Sequence, residues 1–145
     1  MSAPFVHLHV HTQYSMLDGA IRVGDLIQRA KEFDMAAVAI TDHGAMYGAL
    51  EFYEKARKAG IKPIVGCEFY VAEHGMLRHD RTAGHNFHLV ALAMDRTGYA
   101  NLMRLSSLAQ TRGFYYRPRI DLDTLYAHQE GLIIPPVRLV EAGRT

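Results

Sequence analysis

The order of apolar and polar positions divides the chain into short strand-like runs separated by helical stretches. FVHLHVH (5–11) alternates residue by residue, so Phe5, His7, His9 and His11 share one face of a predicted strand while Val6, Leu8 and Val10 share the other. AAVAIT (36–41) and HLVALAM (88–94) are almost continuously apolar, as buried parallel strands tend to be, and PIVGCEFYV (63–71) is an apolar run interrupted by Glu68. Between these runs, Leu26, Ile27, Ala30 and Phe33 recur on one helical face opened by Asp25. A second helix is predicted from about Tyr47 to Ala59, ended by Gly60. A third begins near Thr97, buries Leu102, Leu105 and Leu108 and stops at Gly113; a short fourth, LDTLYAHQ, follows Asp121 as its N-cap. Strand and helix alternate, which predicts an α/β fold with a mostly parallel sheet. Residues 73–87, EHGMLRHDRTAGHNF, are polar and aperiodic and predict a long surface loop.

Parallel strands joined by helices point their C-terminal ends the same way, and functional sites of such sheets gather at that edge. The run AAVAIT ends in TDHG, with Asp42 and His43, and Glu68 sits within the next run, so His9, His11, His43 and Glu68 are expected to converge. His88 conflicts with this frame because it opens its strand, which calls for a shifted boundary or an offset strand. Imidazole nitrogens and carboxylate oxygens are ligands suited to Zn, Mn or Fe, and Glu68 or Asp18 could bridge two ions. The pattern therefore points to a divalent-metal centre.

Composition narrows the alternatives. At 145 residues, 49% hydrophobic and 21% charged, the chain has the size and make-up of one globular domain. Sixteen Lys and Arg against 15 Asp and Glu leave a net charge of +1, so no overall field draws in nucleic acid. No apolar run reaches the roughly 18 residues that span a bilayer, and no signal-peptide pattern is visible, which predicts a cytoplasmic protein. The single Cys67 excludes an internal disulfide and, next to Glu68, is expected on the opposite, core face.

Of the nine histidines, His74, His79 and His85 fall in the polar loop and are expected to be solvated, and His128 to lie on a helix surface. His7 reads equally as a hydrogen-bonding support for a ligand or as a packed side chain, and Asp42 as a support for a ligand imidazole or a helix cap. TRGFYYRPRID (111–121) reads first as a loop packing on its own domain. The alternative is a nucleic-acid contact, with Arg112, Arg117 and Arg119 on phosphates and aromatic rings such as Tyr115 stacking on bases.

Four segments, HLHVHTQYSMLDG, AITDHGAMYGALEFY, GIKPIVGCEFYVA and FHLVALAMDRTGYANLMRLSS, together resemble the PHP domain, the polymerase and histidinol phosphatase superfamily. The likeness is greatest to the branch that opens the bacterial DNA polymerase III alpha subunit, and covers about residues 5–133. It implies the first half of a distorted seven-stranded β/α barrel with up to three divalent ions at its strand ends. By matching motifs it implies His9, His11, Asp18, His43, Glu68 and His88 as metal ligands, with His9, His11, His43 and Glu68 at the chemical centre. It also implies phosphoester hydrolysis at a DNA 3' end, a proofreading exonuclease, beside the other polymerase III holoenzyme subunits.

A metal-stabilised structural module and a histidinol-phosphatase-like enzyme are the competing readings. Residues 1–133 follow the family pattern and residues 134–145, IPPVRLVEAGRT, depart from it where a segment like ALSGC and a later Asp-x-His pair would add ligands. The chain alone is therefore expected to bind metal weakly and to hydrolyse little, and an uncovered barrel edge to favour self-association.

Overall fold

The computed structural model describes residues 5–16, 18–81 and 83–135. A 3-10 turn at Gln13–Ser15 precedes α1 (Val23–Glu32), β1 (Ala37–Ile40), α2 (Ala49–Lys58), β2 (Lys62–Ala72) and β3 (Asn86–Ala93). After these come α3 (Arg96–Thr111), β4 (Arg119–Ile120), α4 (Leu122–Ala127) and β5 (Leu132–Ile133). Local signals explain most boundaries. The Asp95 and Asp121 carboxylates accept the amide N–H groups of Gly98 and Thr124 as N-caps of α3 and α4. Gly60, at φ 78°, takes the left-handed turn that ends α2. The departing tail lies outside the described residues from position 136 onward.

The sheet is mixed, which corrects the mostly parallel expectation. β1 pairs parallel with the first part of β2, Ala37 opposite Lys62, but β3 runs antiparallel to β2, with Gly66 opposite Leu92 and Ala72 opposite Asn86. A polar loop of the length of 73–85 returns the chain directly, whereas a parallel partner needs a crossover. The reversal also removes the conflict at His88. The start of an antiparallel β3 lies beside the C-terminal part of β2, so His88 faces Tyr70 across the ladder and stands at the site edge without any shift of boundary.

Residues 5–11 are extended but form no regular strand. The Ala39 N–H donates to the His7 carbonyl at 2.9 Å and the Thr41 N–H to that of Val10 at 2.8 Å, so two steps along the β1 line match three along this segment. The extra residue acts as a bulge and breaks the alternation between His7 and His9. His7 consequently packs edge-to-face on Phe5, with ring centroids 4.7 Å apart, while His9 and His11 turn toward β2.

The two faces of the sheet do different work. Val38, Ile40, Val65, Cys67, Phe69, Val71 and Ala91 pack against α1, α2 and α3 through Leu26, Ile27, Phe52, Leu102 and Leu105. Cys67 is fully buried there, and burial pushes its thiol pKa up. Phe33 departs from its expected place: it follows the last turn of α1 and is 63% exposed, and Val23 supplies the buried position instead. The other sheet face carries a small cluster of Ala39, Val90 and Leu92, with Ile64 against it. Residues 64, 66, 68 and 70 share that face by strand alternation, so Glu68 and Tyr70 project from the side away from the helices.

Candidate metal centre

The β1 line continues past Ile40 through Thr41, Asp42 and His43, and an isolated parallel bridge sets His43 beside Glu68. The Glu68 N–H donates to the Asp42 carbonyl at 3.1 Å and the Gly44 N–H to that of Glu68 at 2.8 Å. Among the described residues Asp42 makes no hydrogen bond to an imidazole through its carboxylate and caps no helix. Its buried carboxylate accepts the Thr12 N–H at 2.6 Å and the Thr12 hydroxyl at 2.9 Å, locking the His9–His11 segment onto β1. Burial, opposed by those two bonds, raises the Asp42 pKa.

Glu68, 3% exposed, is the hub. Its Oε2 lies 2.5 Å from His9 Nε2 and 2.6 Å from His11 Nε2, which are themselves 3.1 Å apart, and its Oε1 lies 2.6 Å from His88 Nδ1. Asp18 Oδ2 stands 3.0 Å from His11 Nδ1 and 2.8 Å from His43 Nε2. The six residues thus form three overlapping groups, His9–His11–Glu68, His11–Asp18–His43 and His43–Glu68–His88, each with ligand atoms within 4.8 Å of one another. Glu68, His11 and His43 each belong to two groups, and of these the Glu68 carboxylate, with two oxygens, is the one able to serve two ions at once.

Charge follows this geometry. Burial alone would raise the Glu68 carboxyl, but hydrogen bonds from His11, His88 and His9 outweigh it and hold it far below the ordinary carboxylate range. The Glu68 hydrogen bond raises the His11 pKa against the opposing effect of burial. Burial lowers that of His43. The residues fit a bound cation: the buried Nδ1 of His43 and Nε2 of His88 have no hydrogen-bond partner among the described residues. Unpartnered imidazole nitrogens in a cluster that also holds carboxylates are a donor set suited to divalent metal.

The expected residues His9, His11, Asp18, His43, Glu68 and His88 therefore stand together, and His7 stands apart on Phe5. Tyr70 is an addition that sequence reading missed. Its ring stacks on His43, centroids 5.4 Å apart and 19° from parallel, and meets His88 edge-on at 5.0 Å. Its position two residues after Glu68, on the same strand face, was the available signal. Of the possible nucleic-acid contacts, Arg119 is excluded because it is 1% exposed and donates to three backbone carbonyls. Tyr115 is held in a stack with His79, 4° from parallel, and Arg112 and Arg117 remain exposed.

A mixed α/β sheet carrying a histidine and carboxylate cluster at one edge has the make-up of a candidate metal centre. The PHP domain family matches residues 7–135, and the chain belongs to that family. It is 49% identical over 131 residues to DNA polymerase III subunit alpha of Borreliella burgdorferi, an alignment covering 89% of this chain and 11% of that one. Against the same subunit of Thermus aquaticus the identity is 51% over 136 residues, again 89% of this chain and 11% of the other. The chain thus spans about a tenth of the length of the curated relatives it matches. Among solved structures, a candidate metal-dependent phosphoesterase of Bifidobacterium adolescentis shares the fold with a TM-score of 0.50 at 21% identity, over 77% of this chain and 36% of that one. No helix among the described residues is long and apolar enough to cross a membrane.

Proposed function

We propose that the cluster binds divalent metal ions and serves phosphoester hydrolysis at a nucleic-acid 3' end within a DNA polymerase III alpha type of protein. One observation carries this reading: six donor residues from four separate segments converge in three overlapping ligand groups. His9, His11, Asp18, His43, Glu68 and His88 are the ligands in this reading, Glu68 the carboxylate shared between two groups, and Zn, Mn or Fe the suitable ions, up to three of them. Such ions supply Lewis acidity toward phosphoryl oxygens and acidify water at neutral pH. The chain's own part is positional. Asp42 fixes the histidine segment through Thr12, and the Tyr70 ring walls the His43 and His88 imidazoles. The relatives are polymerase subunits, which supports a place in a replicative assembly alongside other holoenzyme subunits.

The test is metal uptake after dialysis against Mn2+ or Zn2+, followed by nucleotide release from a 3'-labelled oligonucleotide. Uptake with a slow, metal-stimulated release that His9→Ala abolishes is the expected result; absence of uptake overturns the reading. Chelation is expected to lower Tm in parallel, because metal at 100 times its Kd stabilises the folded chain by about 2.7 kcal/mol.

The metal-free and metal-loaded forms are expected to respond oppositely to pH. The raised His11 pKa contributes stability that is full below 6.5 and lost as pH rises through the folded value. The lowered Glu68 pKa contributes stability present above 4.5 and lost as pH falls through its folded value. The metal-free chain should therefore gain most from this pair between those limits and lose part of that gain above 6.5. Metal affinity should instead rise with pH there, because the ion displaces the His11 proton. Melting curves with and without metal between pH 5 and 8 check both signs; parallel curves would contradict the His11 role.

A further inference from the structure

A ligand imidazole is ordinarily held in its plane by a hydrogen bond from its second nitrogen to a group outside the metal's own ligands. Among the described residues His11, His43 and His88 have no such bond. Both His11 nitrogens face carboxylates of the cluster, Nδ1 at 3.0 Å from Asp18 and Nε2 at 2.6 Å from Glu68. His43 Nε2 stands 2.8 Å from Asp18, while its buried Nδ1 lies 3.9 Å from Glu68 without a hydrogen bond. His88 Nδ1 stands 2.6 Å from Glu68, and its buried Nε2 has no partner. The second torsion of a histidine is broad, so a ring without an outside partner turns through a wide range at little cost. Something else must fix these planes.

The contacts that remain are aromatic. His43 lies 4.2 Å from His11 and 4.9 Å from His88 between ring centroids. Tyr70 joins this set without being one of the six donors, nearly parallel to His43 and edge-on to His88. Its own placement does not depend on the cluster. Tyr70 sits on β2 between two partner strands, opposite His88 of β3 and Arg119 of β4, and is 5% exposed. The Arg117 guanidinium carbon lies over the same ring, 5.6 Å from its centroid. Paired on both sides and enclosed, Tyr70 presents a rigid plane against which two rotatable imidazoles rest.

We propose that Tyr70 is a positioning residue of the metal centre, its ring and not a hydrogen bond setting the planes of His43 and His88 and so the directions of their nitrogens. The inference rests on the metal reading above. It concerns the group His43–Glu68–His88, both of whose imidazoles touch the ring. An offset stack uses the flat face of the ring, so the phenol hydroxyl is dispensable.

Zn2+ affinity by isothermal titration and the visible absorption of the Co2+-loaded chain test the proposal together. Tyr70→Leu is expected to lower Zn2+ affinity about 10- to 100-fold, the effect of removing a ligand's support, and to alter the Co2+ bands. Tyr70→Phe keeps the flat face and should match the unaltered chain in both measurements. Tyr70→Met fills the space with a flexible side chain and should behave as Tyr70→Leu does. In His43→Ala the ring has lost its stacking partner, so Tyr70→Leu added there should cost clearly less than it does alone. In the unaltered chain the His43 ring protons should carry the upfield NMR shift of a stacked ring before and after Zn2+ loading. Absence of that shift overturns the proposal even where the variants do not fold. Wild-type affinity and Co2+ bands in Tyr70→Leu overturn it as well, and an equal loss in Tyr70→Phe assigns the effect to the hydroxyl and overturns it too. Each of these results leaves the metal reading standing, whereas absence of Zn2+ uptake by the unaltered chain overturns that reading and the proposal with it.

Discussion

Glu68→Gln is expected to reduce metal affinity by more than about 100-fold, because loss of a shared ligand exceeds the 10- to 100-fold effect of removing a supporting hydrogen bond. The substitution keeps size and shape but leaves one acceptor oxygen where two now serve His9, His11 and His88. Whichever way the amide turns, its NH2 faces an imidazole nitrogen that had a carboxylate oxygen, and the site loses the charge that His11 pairs with. The metal-free protein should lose on the order of 2–3 kcal/mol, since the carboxylate is buried and its hydrogen bonds are charge-assisted. Isothermal titration with Mn2+ or Zn2+ and urea denaturation measure the two losses separately. Glu51→Gln is the control. Glu51 also accepts short bonds, from Lys55 and Tyr14 at 2.6 Å, but at the surface of α2, where solvent screens the pair and little should change. Wild-type metal affinity in Glu68→Gln would mean that the convergence of imidazoles around this residue is not a metal centre.

The legible parts of the fold were those fixed by neighbours in sequence. The apolar runs at 36–41 and 63–71, the cap at Asp121 and the stop at Gly60 each depend on a few adjacent residues, and each lies where its local chemistry puts it. Strand direction is not local. Nothing within HLVALAM distinguishes a parallel from an antiparallel partner, and the informative sign was the misfit of His88, which a parallel sheet could not accommodate and a reversed strand places opposite Tyr70. The histidine segment shows a related limit. Its alternation was read correctly for His9 and His11, but a single extra residue against β1 separated His7 from them, and that bulge is set by pairing with β1 rather than by the segment itself. Arg119 shows the same limit: RGFYYRPR suits packing on its own domain or a phosphate contact, and the three carbonyls from 113, 76 and 78 that decide for packing meet around it only after folding.

Arg119→Met is expected to destabilise the protein by about 3 kcal/mol or more, since three backbone carbonyls lose a charged donor and an unsatisfied buried acceptor costs about 1–3 kcal/mol. Arg119 Nε donates to the Gly113 carbonyl at 3.0 Å, and Nη2 donates to the carbonyls of Met76 at 2.9 Å and Arg78 at 2.7 Å. Burial lowers its pKa while Coulomb attraction to the Tyr115 phenol opposes that shift, and the guanidinium sits over the Tyr115 ring at 5.2 Å. Methionine would fill much of the volume but leave those carbonyls without their donors. Arg119→Lys keeps the charge, yet a single ammonium on a flexible stem cannot span three carbonyls from two separate loops, so it should recover only part of the loss. The residue ties the 76–78 loop to the turn that carries Tyr116 and Arg117, so both variants should loosen that turn selectively. Urea denaturation measures the global cost, and amide hydrogen exchange at residues 76–78 and 113–118 measures the local one. Unchanged exchange in Arg119→Met would show that backbone packing, with Gly113 against the Arg119 carbonyl, holds the turn without the guanidinium.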